Sequence, residues 1–238
     1  ILHLLYARFF NKLMRDEGLV SCDEPFKRLL CQGMVLAQSY SYLDDQGHKV
    51  WVNPEEVEIE RDDKSLIVAA KRISDGRSLD VGGTTKMSKS KNNGVDPQSA
   101  IDLYGADTVR LFTMFAAPPE QTLEWHDEGV QGASRFVRRL YRFCQDAVGI
   151  NSESIASTLK AGNLELADSA SLNDKQKEIR RIVQIALQKA NFDYSRNQFN
   201  TVVSGCMKIL NELPDSAETD PVVIEGLGIL LRLLYPVA

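Results

Sequence analysis

The sequence predicts a mixed α and β fold: a small antiparallel β module within the first half, then a wholly helical second half. Three observations predict it. From about Ser39 to Thr85, short β-like runs alternate with turn signals. From Glu128 onward, apolar residues recur at helical spacing. Between the two lies Lys86-Met87-Ser88-Lys89-Ser90-Lys91, three lysines and two serines with only Met87 apolar. It is set between Gly82-Gly83 and Asn92-Asn93-Gly94, residues that tolerate φ > 0, which predicts a mobile loop.

In chain order, His3 to about Glu17 reads as an amphipathic helix with Leu4, Leu5, Phe9, Leu13 and Met14 near helical spacing and Gly18 as its stop. His3 lies on that face. Leu29 to Ala37 reads as a buried strand, in which Gly33 would let a ligand approach the backbone closely. The β module follows as Tyr40–Leu43, Lys49–Val52, Val57–Glu60 and Leu66–Ala70, separated by Asp44–Gly47, Asn53-Pro54, Asp62–Lys64 and Ser74–Gly76. Being short, it is expected to lean on a neighbour or to move as a tethered flap. After the lysine loop, Asp96-Pro97 is a strong helix start, and Gly105-Ala106-Asp107 restarts a second helix with Asp107 as its cap. Pro118-Pro119 closes it and marks a domain boundary. Four more helices are expected over Glu128–Gly149, Asn173–Tyr194, Gln198–Leu213 and Asp220–Tyr235, with 151–171 as a long polar connection.

The net charge of -5 argues against a general DNA-coating protein, so any RNA contact must come from a local basic patch. Arg135, Arg138, Arg139 and Arg142 fall on one helix face and are candidates for that contact; a solvated face or internal ion pairs are the alternative. Lys175, Lys177, Arg180 and Arg181 form a second cluster with the same two readings. Cys22, Cys31, Cys144 and Cys206 lack a CxxC pair, which suits buried, reduced thiols in a cytoplasmic protein and indicates no metal site. No apolar run reaches membrane-spanning length and no signal-peptide pattern opens the chain. The chain starts and stops inside apolar sequence, which reads as a piece of a longer protein.

A loop of cations and hydroxyls suits polyphosphate, since lysine is a point-charge partner for phosphate oxygens. Lys86-Met87-Ser88-Lys89-Ser90 is also the second signature of class I aminoacyl-tRNA synthetases, a run that chance would place in such a chain roughly once in ten thousand times. The flanks sharpen this. His3-Leu4-Leu5-Tyr6-Ala7-Arg8-Phe9-Phe10, Gln32–Leu36, Asn93–Pro97, Tyr104–Leu111, Leu123-Glu124-Trp125 and Gly129–Phe136 resemble the leucyl-tRNA synthetase family, essentially end to end.

The resemblance implies an α/β fold, the second half of a Rossmann-like class I synthetase domain, with a small antiparallel β insertion and an α-helical bundle after it. It divides the chain into 1–38 and 86–118 as catalytic domain, 39–85 as the leucine-specific insertion and 119–238 as a truncated anticodon-binding-type domain. It implies a monomeric, cytoplasmic parent ligase that uses ATP with Mg2+, leucine and tRNA(Leu), with no membrane or DNA partner. Lys89 and Lys86 would be the catalytic cations, and Met87, Ser88 and Ser90 further ATP contacts. Gln32, Gly33, Met34 and Val35 would line the adenine site and His3 the leucine/adenosine side. The four arginines of the first stripe would touch tRNA. The first-half HIGH signature is missing from this sequence, so the polypeptide alone is expected to have negligible activity. The alternative from another class is a non-catalytic, synthetase-like RNA-binding protein.

Overall fold

The computed structural model describes residues 2–64, 66–160, 166, 168–214 and 220–238, with only the backbone course for 147–160. The chain divides into two compact units, Ile1–Gln32 and Gly33–Ala238.

The first unit is built on α1 (Leu2–Asp16). It stops where the sequence predicts: the Gly18 N–H bonds the Arg15 carbonyl at 2.9 Å and the Leu19 N–H bonds that of Met14 at 2.8 Å, which satisfies the orphan carbonyls of the last turn. The returning segment is tied back by charge. The Arg8 fork donates to Glu24 at 2.8 and 2.6 Å, with Lys12 at 3.2 Å from the same carboxylate. Those contacts, the Arg8 hydrogen bonds first, lower the Glu24 carboxyl to about 2. Only Asn11 of α1 is buried, donating to the Cys22 carbonyl at 3.0 Å, while Leu5, Phe9 and Leu13 stay exposed. Two expectations fail in this unit. Cys22 and Cys31 are exposed rather than buried, and residues 29–32 form no strand, since among the described residues of this unit there is no strand to pair with them.

In the second unit the strand begins only at Val35 and runs on through position 43 as β1 (Val35–Leu43). One continuous strand therefore joins what the sequence divides at 38/39. Val35, Tyr40 and Tyr42 on β1 and Val50, Trp51 and Val52 on β2 (Lys49–Val52) favour strand, and the two pair antiparallel through a turn held by Asp44, whose side chain accepts from the Gln46 and His48 N–H groups. β3 (Val57–Arg61) and β4 (Ile67–Arg72) form a separate antiparallel pair. β5 (Asp80–Lys86) lies against the other edge of β1. Tyr40, Val52, Ala70 and Leu79 make a small shared core between the sheets. Arg72 and Arg77 stack over the Tyr42 ring at 4.7 and 4.8 Å, a second tie between them.

Helices α2 (Pro97–Tyr104) and α3 (Ala106–Ala116) follow. Asp96 caps α2 as expected, its carboxylate accepting from the Ser99 N–H and hydroxyl at 3.1 Å, and these bonds lower its pKa. Asp107 does not cap α3: Gly105 holds that position, and Asp107 sits inside the first turn, where its charge faces the positive end of the helix. β6 (Leu123–Glu124) then pairs parallel to β1, and α4 (Asp127–Lys160), α5 (Asp174–Ser195), α6 (Phe199–Glu212) and α7 (Pro221–Leu234) complete the chain. The backbone of α4 continues past Gly149, since one glycine costs a helix only about 1 kcal/mol and no proline follows to stop it. The rest of the expected polar connection falls partly on 161–165 and 167, outside the described residues.

One core is shared by α3 to α7: Leu111 and Phe112 pack in the same buried cluster as Val130, Val183, Val202, Ile209, Leu210 and Leu230. That core runs across Pro118-Pro119, where the sequence suggests a boundary, because α3 carries its apolar face into it. Cys206 is buried within it, and burial pushes its thiol up to about 12. Glu225 is also inside, 2% exposed, accepting from Arg180 Nε at 3.1 Å, Arg180 Nη2 at 2.7 Å and Gln184 Nε2 at 3.3 Å. Arg181 pairs with Glu178. The second basic cluster is thus partly consumed by internal ion pairs.

Replacing Arg180 by Met should strand the Glu225 carboxylate and lower unfolding free energy by about 3 kcal/mol, whereas Arg180→Met with Glu225→Leu should recover most of it. Denaturant unfolding of both variants checks this; equal losses would refute the buried pairing.

Candidate functional site

The lysine segment hangs directly from β5. The sequence reads Gly82-Gly83 as the start of a loop, but both lie inside the strand. The β1–β5 register shifts between Gln38 and Tyr40, so that Gly82 and Gly83 together stand opposite Ser39. Gly83 takes φ 75°, and a Cβ on Gly82 would lie 2.7 Å from the Ser39 hydroxyl. Ser39 Oγ donates to the Gly83 carbonyl at 3.1 Å and fixes the bulge. One extra residue reverses the side-chain alternation from there on, and so resets which way Lys86 faces.

Beyond β5 the backbone stays attached to β1. The Leu36–Lys86 pair closes the ladder, and the Met87 N–H donates to the Val35 carbonyl at 3.1 Å. Lys89–Lys91 then form one 3-10 turn, and Asn92 adopts a left-handed conformation at φ 48° that brings the chain back. Ser88 Oγ and Ser90 Oγ lie 3.3 Å apart. Lys91 Nζ stands 5.8 Å from the centre of the Trp51 ring on β2, with Lys49 Nζ at 4.5 Å from the same ring. Lys86 and Lys89 are exposed and have no ion-pair partner among the described residues. A turn presenting two unneutralised cations and a pair of hydroxyls can take up an anion of several oxygens.

Asn93 is the residue whose role sequence reasoning missed. An Asn-Asn-Gly run reads as exposed turn, yet Asn93 is 0% exposed. Its side-chain oxygen accepts from the Ser88 N–H at 2.9 Å, and its Nδ2 lies 3.3–3.4 Å from Ala37 O, Thr85 O, Thr85 Oγ1 and Lys86 O. No sequence signal separates it from Asn92 beside it.

Of the other expected ATP contacts, Gly33, Met34 and Val35 belong to the same unit as the lysines, and Val35 meets Met87 through the backbone bond above. Gly33 is needed for a different reason than a ligand. Its N–H donates to the Pro119 carbonyl at 2.8 Å, and a Cβ there would stand 1.9 Å from the Gln121 carbonyl oxygen, so the chain's own backbone fills that space. Met34 is exposed and its carbonyl accepts from Leu123 N–H at 2.9 Å. His3 and Gln32 belong to the first unit and are exposed there. On α4, Arg135, Arg138 and Arg142 are exposed without an ion-pair partner among the described residues, while Arg139 Nη1 donates to Asn211 Oδ1 at 2.5 Å. Among the described residues no group of three or more His, Cys, Asp or Glu could hold a metal ion, and no helix is long and apolar enough to cross a membrane.

A family model described as class I tRNA synthetases (I, L, M and V) matches residues 73–126. That span takes in β5, the lysine turn, α2, α3 and β6. Leucine–tRNA ligases of Janthinobacterium sp. and Herminiimonas arsenicoxydans are each 52% identical to the whole of this chain. The ligase of Dichelobacter nodosus is 51% identical. The chain spans 26% of the length of each. A crystal structure of a ternary complex of an Agrobacterium radiobacter LeuRS with tRNA and LeuAMS is similar over 100% of this chain and 24% of that one, with a TM-score of 0.65 and 27% identity.

Gly33→Ala should force the 119–122 segment away from β1 and lower the melting temperature by several degrees, as a loss of about 2 kcal/mol would in a domain this size. Thermal unfolding measures it; an unchanged melting temperature would refute the close backbone approach.

Proposed function

We propose that this chain is the part of a leucine–tRNA ligase that carries its ATP-phosphate loop, within the second half of a Rossmann-like domain followed by the start of a helical bundle. One observation carries the reading: Lys86 and Lys89 stand exposed and unpaired on a turn clamped to β1 and β5, inside the span matched by the synthetase family model. The parallel pairing of β6 with β1 supports the Rossmann-like half, since parallel neighbours need a long crossover, here the whole stretch from β2 to α3.

In this reading the leucine carboxylate attacks the α-phosphorus of ATP, the bond to the leaving pyrophosphate breaks, and leucyl-adenylate forms. Negative charge rises on the phosphate oxygens in the transition state, so cations placed there act mainly on rate. Lys89, at the head of the 3-10 turn, meets those oxygens; Lys86 assists from the end of β5, and Ser88 and Ser90 hydroxyls donate to oxygens the lysines leave free. Met87 is tied to β1 through its backbone N–H and adds a further contact to the nucleotide. Met34 and Val35 line the adenine side next to the clamp. Mg2+ would arrive with ATP as its phosphate-bound partner. Leucine then passes to the 3′ end of tRNA(Leu), whose backbone Arg135, Arg138 and Arg142 would contact, with Arg139 positioned by Asn211. The remaining three quarters of the ligase supply the rest of both sites, so this polypeptide alone would be inactive.

In the whole ligase, Lys89→Ala should lower kcat for ATP–pyrophosphate exchange by at least about a hundredfold while KM for leucine changes little, as expected for a contact made in the transition state. Parallel losses in both would refute the transition-state role, unchanged exchange would remove Lys89 from the catalytic machinery, and absence of exchange in the unsubstituted protein would favour the non-catalytic RNA-binding reading. Replacing Arg135, Arg138 and Arg142 together by Gln should weaken tRNA binding and flatten its salt dependence by roughly one unit of slope per lost phosphate contact. An unaltered salt slope would remove the stripe from the interface.

A further inference from the structure

We infer that Asn93 is the positioning residue of the lysine turn, a buried amide that sets where the Lys89 side chain starts; the functional half of this inference rests on the reading above. The geometry is specific. Asn93 is 0% exposed, and its two polar atoms face opposite ways. On one side Oδ1 accepts from the Ser88 N–H at 2.9 Å, immediately before Lys89. On the other, Nδ2 lies among four acceptor oxygens: Ala37 O on β1, Thr85 O and Oγ1 and Lys86 O on β5, all at 3.3–3.4 Å. A single side chain therefore joins the middle of the lysine segment to both strands beneath it. The left-handed turn at Asn92 returns the chain to this point.

The chemistry admits few substitutes. The site needs an acceptor toward Ser88 and a donor toward four oxygens, and an amide of this length has both. An ionised carboxylate keeps the acceptor but sets negative charge against four oxygens. An apolar residue leaves the Ser88 N–H without this acceptor and removes the donor that the four oxygens share. Among the described residues neither Lys86 nor Lys89 has a carboxylate to hold it, so the backbone sets where each side chain starts. Asn53 adds a weaker tie, its Nδ2 standing 3.4 Å from the Gly94 carbonyl.

Hydrogen exchange in the 238-residue chain and kinetics in the whole ligase test this separately. Asn93→Ala should lower protection of the 87–90 amides about tenfold, the loss expected from one buried hydrogen bond, with α5 and α6 unchanged. Asn93→Asp should behave like the alanine variant at about pH 8, where the carboxylate is ionised, and regain protection at about pH 5, because burial among acceptor oxygens raises its pKa and the protonated acid donates again. Should Asn93→Ala loosen the whole chain, Asn93→Asp decides alone, since one polypeptide is read at two pH values. Unchanged protection at 87–90 in both variants would overturn the inference. In the ligase, kcat for ATP–pyrophosphate exchange should fall about tenfold with KM for leucine within about twofold, and the Asp variant should recover toward acid relative to the unsubstituted enzyme. Lost protection with unaltered kcat would uphold the positioning role and refute instead the role of the lysines in activation.

Discussion

Everything at the site depends on the hydrogen-bonding capacity of β1. This one strand is paired antiparallel on one edge to β2 and on the other to β5, and its first residues also pair in parallel with β6. The Val35 carbonyl takes the Met87 N–H, the Leu36 carbonyl takes the Trp125 N–H at 2.8 Å, and the Ala37 carbonyl faces Asn93. Three successive carbonyls of one strand thus hold the lysine segment, the entry to α4 and the buried amide. Because backbone groups in a sheet must be paired, this arrangement leaves little freedom in the path of any of them. The bulge opposite Ser39 is an irregularity in the pairing of β1, and along the chain it falls between the module of β3 and β4 and the lysines.

The distribution of charge follows a related logic. In a chain of net charge -5, several guanidinium groups are engaged with carboxylates: Arg8 with Glu24, Arg15 with Asp16 and Asp23, Arg72 with Asp75, Arg180 with Glu225 and Arg181 with Glu178. Arg8 and Arg15 tie the returning segment onto α1, and Arg180 holds a buried carboxylate. Lys86 and Lys89 at the turn and Arg135, Arg138 and Arg142 on α4 carry no ion pair among the described residues. Exposed pairs add little stability, so a cation that forgoes one gives up little and keeps its charge for a partner outside the chain.

Much of this was legible in the sequence, because it rests on local signals. The helix caps at Asp96, Asn173 and Asp220, the turn at Asp44 and the four helices of the second half are set by residues adjacent to them in the chain. The lysine turn announced itself through composition alone. What escaped depends on partners far away in sequence. Gly82 and Gly83 look like loop residues until Ser39, more than forty residues earlier, is seen to complete a bulge. Gly33 looks like space for a ligand until Gln121 occupies it. Asn93 cannot be told from Asn92 without Ala37 and Thr85. Cys22 and Cys31 look like core thiols by residue type, yet lie in a segment with little to bury them.

The chain has two tryptophans, and they are unequally placed. Trp125 is set edge-on against Phe112 at 5.1 Å, beside the helical core. Trp51 stands on β2 with an ammonium group on either hand, one of them the last lysine of the turn. Indole emission responds to nearby charge and to solvent, so the protein contains its own optical gauge of the turn, and Trp125 serves as the internal standard. Swinging of the turn over a nucleotide would alter the light from one ring and spare the other, which makes the motion readable without any added dye.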